Sequence, residues 1–308
     1  MKLAAVKPVS RVLARELAMT GLLLAGVSVV VFGILALAPG NPLDALGVRE
    51  ADGVPRTWPA QYAAWFGKVL QGDFGHSLRT GLPVLPELAR VGTNTLYLTL
   101  GSLVLTLAIA VPIAVHGAAH GDTPLNTAAT VGAYILSAVP VFWFGYIVVY
   151  VFIHKFGMFP LLSGAAGRQQ HAWLYALVPI LVLGTASGTL SEMIRHLREE
   201  LSRVLAEDYI RTARAKGAAV WRHAFKEGFL IPVTGIVSAK IPFLLGGAVI
   251  VEQVFNWPGM GRMAWQAAQD RDFPVIMGVA LVAAAFVRLG NLVHRIVFTA
   301  VNPRASQE

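Results

Sequence analysis

From Leu17 to Ala38 the chain carries no charged side chain, and runs of the same kind recur at Thr95–Val115, Ala128–Ile153 and Leu174–Leu190. A helix rises about 1.5 Å per residue, so roughly 20 apolar residues cross a hydrocarbon layer of about 30 Å. Two more runs complete a set of six: Val233–Val251, which holds the single base Lys240, and Val275–Val287, which continues past Arg288 to Ala300. Lipid offers no partner to backbone N–H and C=O groups, so unbroken apolar runs of this length must satisfy them internally as helices. Composition agrees. With 56% hydrophobic and 14% charged residues, 308 residues cannot cover a soluble surface. The expected fold class is an all-α polytopic membrane protein with six transmembrane helices. Ala36-Leu37-Ala38 imitates a signal cleavage box. The run is long for a signal peptide, however, and Pro39 follows it directly, so the expectation is an uncleaved first span.

The net charge of +8 raises nucleic acid as a partner, but the bases flank the spans, where the positive-inside rule places them. Residues 191–231 alone hold eight Lys and Arg, whereas residues 39–93 balance five bases with five acids. This distribution puts both termini and the 191–231 loop in the cytoplasm and leaves no nucleic-acid role. The expected organisation is a cytoplasmic tail and first helix over 1–38, an extracytoplasmic region over 39–93 and a five-helix core over 94–300. A cytoplasmic tail over 301–308 ends the chain. Tyr62–Leu70 reads as a small amphipathic helix at the interface. Without cysteine there are neither disulfides nor thiolate metal sites.

The stretch from Asp208 to Pro232 is too charged for lipid. Its first part reads as a short helix with Asp208 as N-cap, Lys216 in the last turn and Gly217 as a left-handed stop. Tyr209, Ala213 and Gly217 form a small-residue seam flanked by Arg211, Arg214 and Lys216. Pro232 suits the first turn of the next span. On charge alone the stretch is a basic loop held to anionic lipid.

Residue order says more. Ala213-Arg214-Ala215-Lys216-Gly217, then His223-Ala224 and Ile231-Pro232, resemble the cytoplasmic signature loop of bacterial ABC-importer permeases, closest to the dipeptide, oligopeptide and nickel branch. GDFGHSLRT (Gly72–Thr80), FPLLSG (Phe159–Gly164), GGAVIVEQVFNWPGMG (Gly246–Gly261), RDFP (Arg271–Pro274) and NPR (Asn302–Arg304) extend the likeness over roughly residues 10–305. The resemblance implies a type I importer permease fold with a coupling helix built from Asp208, Tyr209, Arg211, Ala213, Arg214, Ala215, Lys216 and Gly217. That helix would rest in a groove of a cytoplasmic ATPase. Partners implied are a second related permease, two ATPase subunits that bind ATP and Mg, and an extracytoplasmic binding protein. The chain itself has no phosphate-cradling GxxxxGK motif and would be non-catalytic. Di- or oligopeptides are the substrates implied first, with nickel or haem as alternatives; no histidine cluster in the spans favours a metal. Two departures stand out. Pro232 lies 15 residues past Gly217, off the expected spacing, and His294 and Asn302 stand where acids are expected.

Candidate pathway residues are Asn94, Thr95, Pro140, Phe142, Lys240, Gly246, Gly247 and Glu252. Each has a plainer reading: paired glycines pack helices, a proline is a tolerated kink, and Lys240 or Arg288 snorkels to the interface. An intramembrane charge is otherwise a functional pointer. Glu252 and Trp257-Pro258-Gly259 are expected at the mouth of the path. His116 and His120 have helical metal spacing, but Gly117 replaces the glutamate of a metallopeptidase HExxH. An intramembrane serine protease would need Ser187 beside His294, yet GTASG lacks the required spacing. A carrier working without ATP would show inverted repeats or paired intramembrane acids, and neither is apparent.

Overall fold

The computed structural model describes residues 6–37, 57–156, 172–186, 188–221 and 229–301. FPLLSG, His223-Ala224, NPR and Ser187 lie outside the described residues. The described chain is helical: α1 (Val6–Ala36), α2 (Trp58–Leu70), α3 (Val84–His120), α4 (Pro124–Ala138), α5 (Val141–Phe156), α6 (Ala172–Thr185), α7 (Thr189–Leu205), α8 (Asp208–Ala215), α9 (Ile231–Val254), α10 (Met260–Asp270) and α11 (Phe273–Val301).

Stretches of α1, α3 and α11 are each long and apolar enough to cross a membrane unaided. The other three spans are broken. α4 and α5 meet at a bend of 97°, α6 and α7 at 57°, and α9 bends by 54° between Pro242 and Leu245. If each bent pair is one span, six result. The breaks follow from residue chemistry. Val139, before Pro140, is driven extended (ψ 126°), which ends α4. Gly188 (φ 84°) supplies the left-handed residue that opens α7. Pro242 removes an N–H inside α9 and its ring crowds the preceding turn. The fourth apolar run was expected to end at Leu190 and pass into a loop. Instead α7 begins there and runs on as an amphipathic helix, burying Leu190, Met193, Ile194, Leu197, Leu201 and Val204 on one face.

Two compact units emerge. One comprises Arg15–Leu96 with Trp257–Leu289. Its cores are Phe32, Leu35, Trp65, Met277 and Leu281, and a second cluster including Val84, Leu88, Met260, Val275 and Val279. The Tyr62 ring packs edge-on to Phe32 and stacks with Trp58, while its hydroxyl lies 2.7 Å from Ser28 Oγ. The interfacial helix expected from Tyr62 starts one turn earlier, at Trp58, where Pro59 fits the first turn. Arg288 donates to Glu16 Oε2 at 2.8 Å, with Glu16 fully buried, so the charge in this span has an acidic partner in the same unit.

The other unit holds Tyr97–Asn256 and the chain from Gly290. Here α3 and α6 are bonded through hydroxyls: Ser102 Oγ donates to Ile180 O at 3.1 Å, and Thr106 Oγ1 to Gly184 O at 2.7 Å. The second bond satisfies a carbonyl that the break after α6 leaves without its helical partner. Close approach there requires glycine, since a Cβ on Gly184 would lie 2.8 Å from the Ser102 carbonyl oxygen.

Candidate functional site

The helix of interest is α8, eight residues from Asp208 to Ala215. It closes in a Schellman arrangement: Ala218 N donates to Ala213 O at 2.9 Å, Gly217 N donates to Arg214 O at 3.1 Å, and Gly217 has φ 69°. The left-handed glycine stop is therefore where the sequence puts it. The start lies one residue earlier. Glu207, extended at ψ 148°, occupies the N-cap, and Asp208 is the first helical residue, near Arg211 at 3.5 Å. Of the seam Tyr209, Ala213 and Gly217, the two ends are exposed, and Ala213 is buried together with Ile210. Ile210 is fully buried against Val204, Leu205 and Val220, because a β-branched apolar side chain gains more by covering the end of α7 than a tyrosine that keeps its hydroxyl in water. Tyr209, Arg211, Arg214, Ala215, Lys216 and Gly217 are exposed, and among the described residues beyond its chain neighbours a Cβ on Gly217 would meet no atom within 4 Å.

Above α8, α7 carries further charge pairs. Arg198 donates to Asp122 Oδ1 at 2.7 Å, and Glu192 pairs with Lys240 of α9. Lys240 thus has a partner on α7. Among the other candidates of this unit, Pro140 and Phe142 sit exposed at the α4–α5 break. Gly246 has open space beside it, whereas Gly247 faces Leu183, whose Cδ1 lies 3.0 Å from where a Cβ would sit. Glu252, expected at an open mouth, is fully buried.

The sequence profile described as binding-protein-dependent transport system inner membrane component matches residues 107–307. The chain belongs to that family. It is a permease subunit of an importer in the inner membrane, a multi-pass chain. Similar proteins include an oligopeptide transport system permease protein, AppB, of Bacillus subtilis (strain 168), 35% identical over 92% of this chain and 95% of that one. A glutathione transport system permease protein, GsiC, of Salmonella choleraesuis is 33% identical over 90% and 92%. A probable peptide ABC transporter permease protein, y4tP, of Sinorhizobium fredii is 31% identical over 94% and 97%. Membership implies a substrate-binding protein, an ATPase and a second permease as partners.

The permease's remaining motifs meet in the Arg15–Leu96 and Trp257–Leu289 unit. Ser77 of GDFGHSLRT donates to Asp272 Oδ2 of RDFP at 2.5 Å, and the Arg79 N–H reaches the same oxygen at 3.3 Å. Asn94 donates to Pro258 O at 2.8 Å and accepts from the Trp257 indole at 3.2 Å. Thr95 Oγ1 accepts from Met260 N at 2.7 Å and is buried. Asn94 and Thr95 therefore fasten the Trp257-Pro258-Gly259 turn within this unit. His116 and His120 stack at 4.6 Å, Asp122 is held by Arg198, and no group of three metal-binding side chains occurs among the described residues. His294 lies 3.2 Å from Thr234 Oγ1.

Sequence reasoning missed Ile210, Glu16 and Glu192. A signal existed for the acids. Arg288 and Lys240 within apolar runs call for acidic partners, and Glu16 and Glu192 flank such runs.

Proposed function

We propose that this permease subunit carries di- or oligopeptides inward across the membrane, with α8 as the element that engages the ATPase. The observation that carries the reading is the shape of α8. Its buried residues are Ile210 and Ala213, while Tyr209, Arg211, Arg214, Ala215 and Lys216 are exposed. A helix this short gains little from propensity, and a permanent exposed face on it suits a docking partner. The basic 191–231 segment supports placing α8 and both termini in the cytoplasm. Peptide as cargo rests on the likeness to the oligopeptide, peptide and glutathione permeases. Nickel or haem would be carried by the same machinery.

In this reading the chain performs no chemistry. ATP and Mg bind two cytoplasmic ATPase subunits, a second, related permease completes the path, and an extracytoplasmic binding protein delivers the peptide. ATP acts by its different affinity for two conformations of the assembly. Pathway lining falls to Pro140, Phe142, Gly246, Gly247 and Glu252, with Asn94 and Thr95 supporting the mouth.

The test is co-purification from native membranes. Tagged wild-type chain should bring down an ATPase and a second permease, and Arg214→Glu, reversing charge on the outward face of α8, should lose the ATPase while keeping the permease. A wild-type chain that takes up peptide with no ATPase bound would overturn the proposal.

A further inference from the structure

Two of the interrupted spans are tied together at their interruptions. Glu192 stands in the first turn of α7, where its Oε1 lies 3.4 Å from the Cβ position of Gly188, the left-handed residue at the break. Lys240 stands two residues before Pro242, at the bend of α9. The two side chains form an ion pair, and that of Lys240 is only 14% exposed.

The halves of α9 have different neighbours. The half before Pro242 is bonded to α11: Ser238 Oγ donates to Asn291 Oδ1 at 2.6 Å, and Thr234 meets His294 at 3.2 Å. The half after it packs on other elements. A Cβ on Gly247 would be 3.0 Å from Leu183 of α6, and one on Gly145 of α5 would be 3.1 Å from Val254. The hinge thus separates two differently held bodies. α7, in turn, is a rod of 17 residues with α8 packed at one end through Val204 and Ile210 and Glu192 at the other.

We propose that Lys240 and Glu192 are positioning residues that pass displacement of α8 along α7 to α9, so that α9 flexes at Pro242 instead of α7 sliding past it. The inference rests on the coupling role of α8. Parting the pair takes the Glu192 countercharge from a Lys240 side chain that is 14% exposed, and removing one partner of such a pair costs more than forming the pair gains. The link therefore resists shear between α7 and α9 while leaving Pro242 free to bend. Dispersion contacts alone would let the two helices slip, since each costs little to exchange for another.

The experiment uses the whole importer in proteoliposomes, with labelled peptide uptake and ATP hydrolysis measured together. Lys240→Gln and Glu192→Gln should assemble with the ATPase and hydrolyse ATP, yet uptake per ATP should fall by about fivefold or more, the usual size of a lost coupling. Lys240→Arg, which keeps the pair, should hold the wild-type ratio. The exchange Lys240→Glu with Glu192→Lys should recover most of the loss. Gln variants with the wild-type ratio overturn the proposal, as does an assembled exchange variant no better than the single ones. If the Gln variants do not assemble, an exchange variant that assembles and transports at the wild-type ratio supports it. If that variant assembles and transports poorly, or fails to assemble, the pair serves folding and the proposal is overturned. Failure of the coupling reading looks different: there the wild-type complex and Arg214→Glu would bind ATPase alike.

Discussion

Gly217 shows what one residue can decide. Its φ of 69° is costly for most side chains, about 1–2 kcal/mol per residue in the left-handed region, and asparagine tolerates it better than alanine. Among the described residues, apart from its chain neighbours, nothing lies within 4 Å of its Cβ position, so no clash with them confuses the comparison. Gly217→Ala should weaken ATPase association by roughly five- to thirtyfold, the equilibrium equivalent of that strain, whereas Gly217→Asn should retain most of it. Titrating ATPase into solubilised permease measures both. If the two variants lose association equally, a docked partner rather than φ excludes the side chain. At this scale the sequence was legible where backbone conformation is concerned. Positive φ has a short list of tolerant residues, and Gly217 and Gly188 carry it. It was not legible for the packed face of α8. Tyr209 and Ile210 are adjacent on a helix, and only the position of Val204 and Leu205 decides which is covered.

Among elements, α1 is the least expected in its attachment. It enters the Arg15–Leu96 and Trp257–Leu289 unit through Phe32 and Leu35 and through Glu16, whose carboxylate meets Arg288 of α11. Glu16 is fully buried and the Arg288 side chain is 12% exposed. Replacing one member leaves the other uncompensated, so Glu16→Ala should destabilise this packing by about 3–5 kcal/mol. Glu16→Leu with Arg288→Met should restore much of that loss. Thermal unfolding in detergent, followed by circular dichroism, reports it. Equal melting of the single and double variants would show that the pair contributes no more than its volume. The sequence announced Arg288 as a charge in a span but named no partner, because 272 residues separate it from Glu16. The breaks were half legible. Pro140, Pro242 and Gly188 mark where helices can bend, while the size of each bend follows from what packs on either side.

For the whole molecule, the reading of six spans with cytoplasmic termini makes a direct prediction. The chain has no cysteine, so single cysteines can report sidedness without background. Ser202→Cys and Gln71→Cys place thiols at exposed positions. A membrane-impermeant maleimide should label Gln71→Cys in cells whose inner membrane is intact, and Ser202→Cys only once that membrane is permeabilised. The reverse pattern would invert the topology and with it the proposed role of α8.

The sequence by itself determined that this chain is a helical membrane protein, which apolar runs build its spans, and that its basic 208–217 helix stops at Gly217. Those properties come from local causes: apolar runs that must satisfy their own backbone, and residues with restricted or unusual φ. Tertiary structure alone decided that Lys240 pairs with Glu192, Arg288 with Glu16 and Ser77 with Asp272, and that Ile210 rather than Tyr209 is buried. These depend on which faces of distant helices meet. The energy of a buried charge sets only that some partner must be found, and the packing of the bundle sets which one.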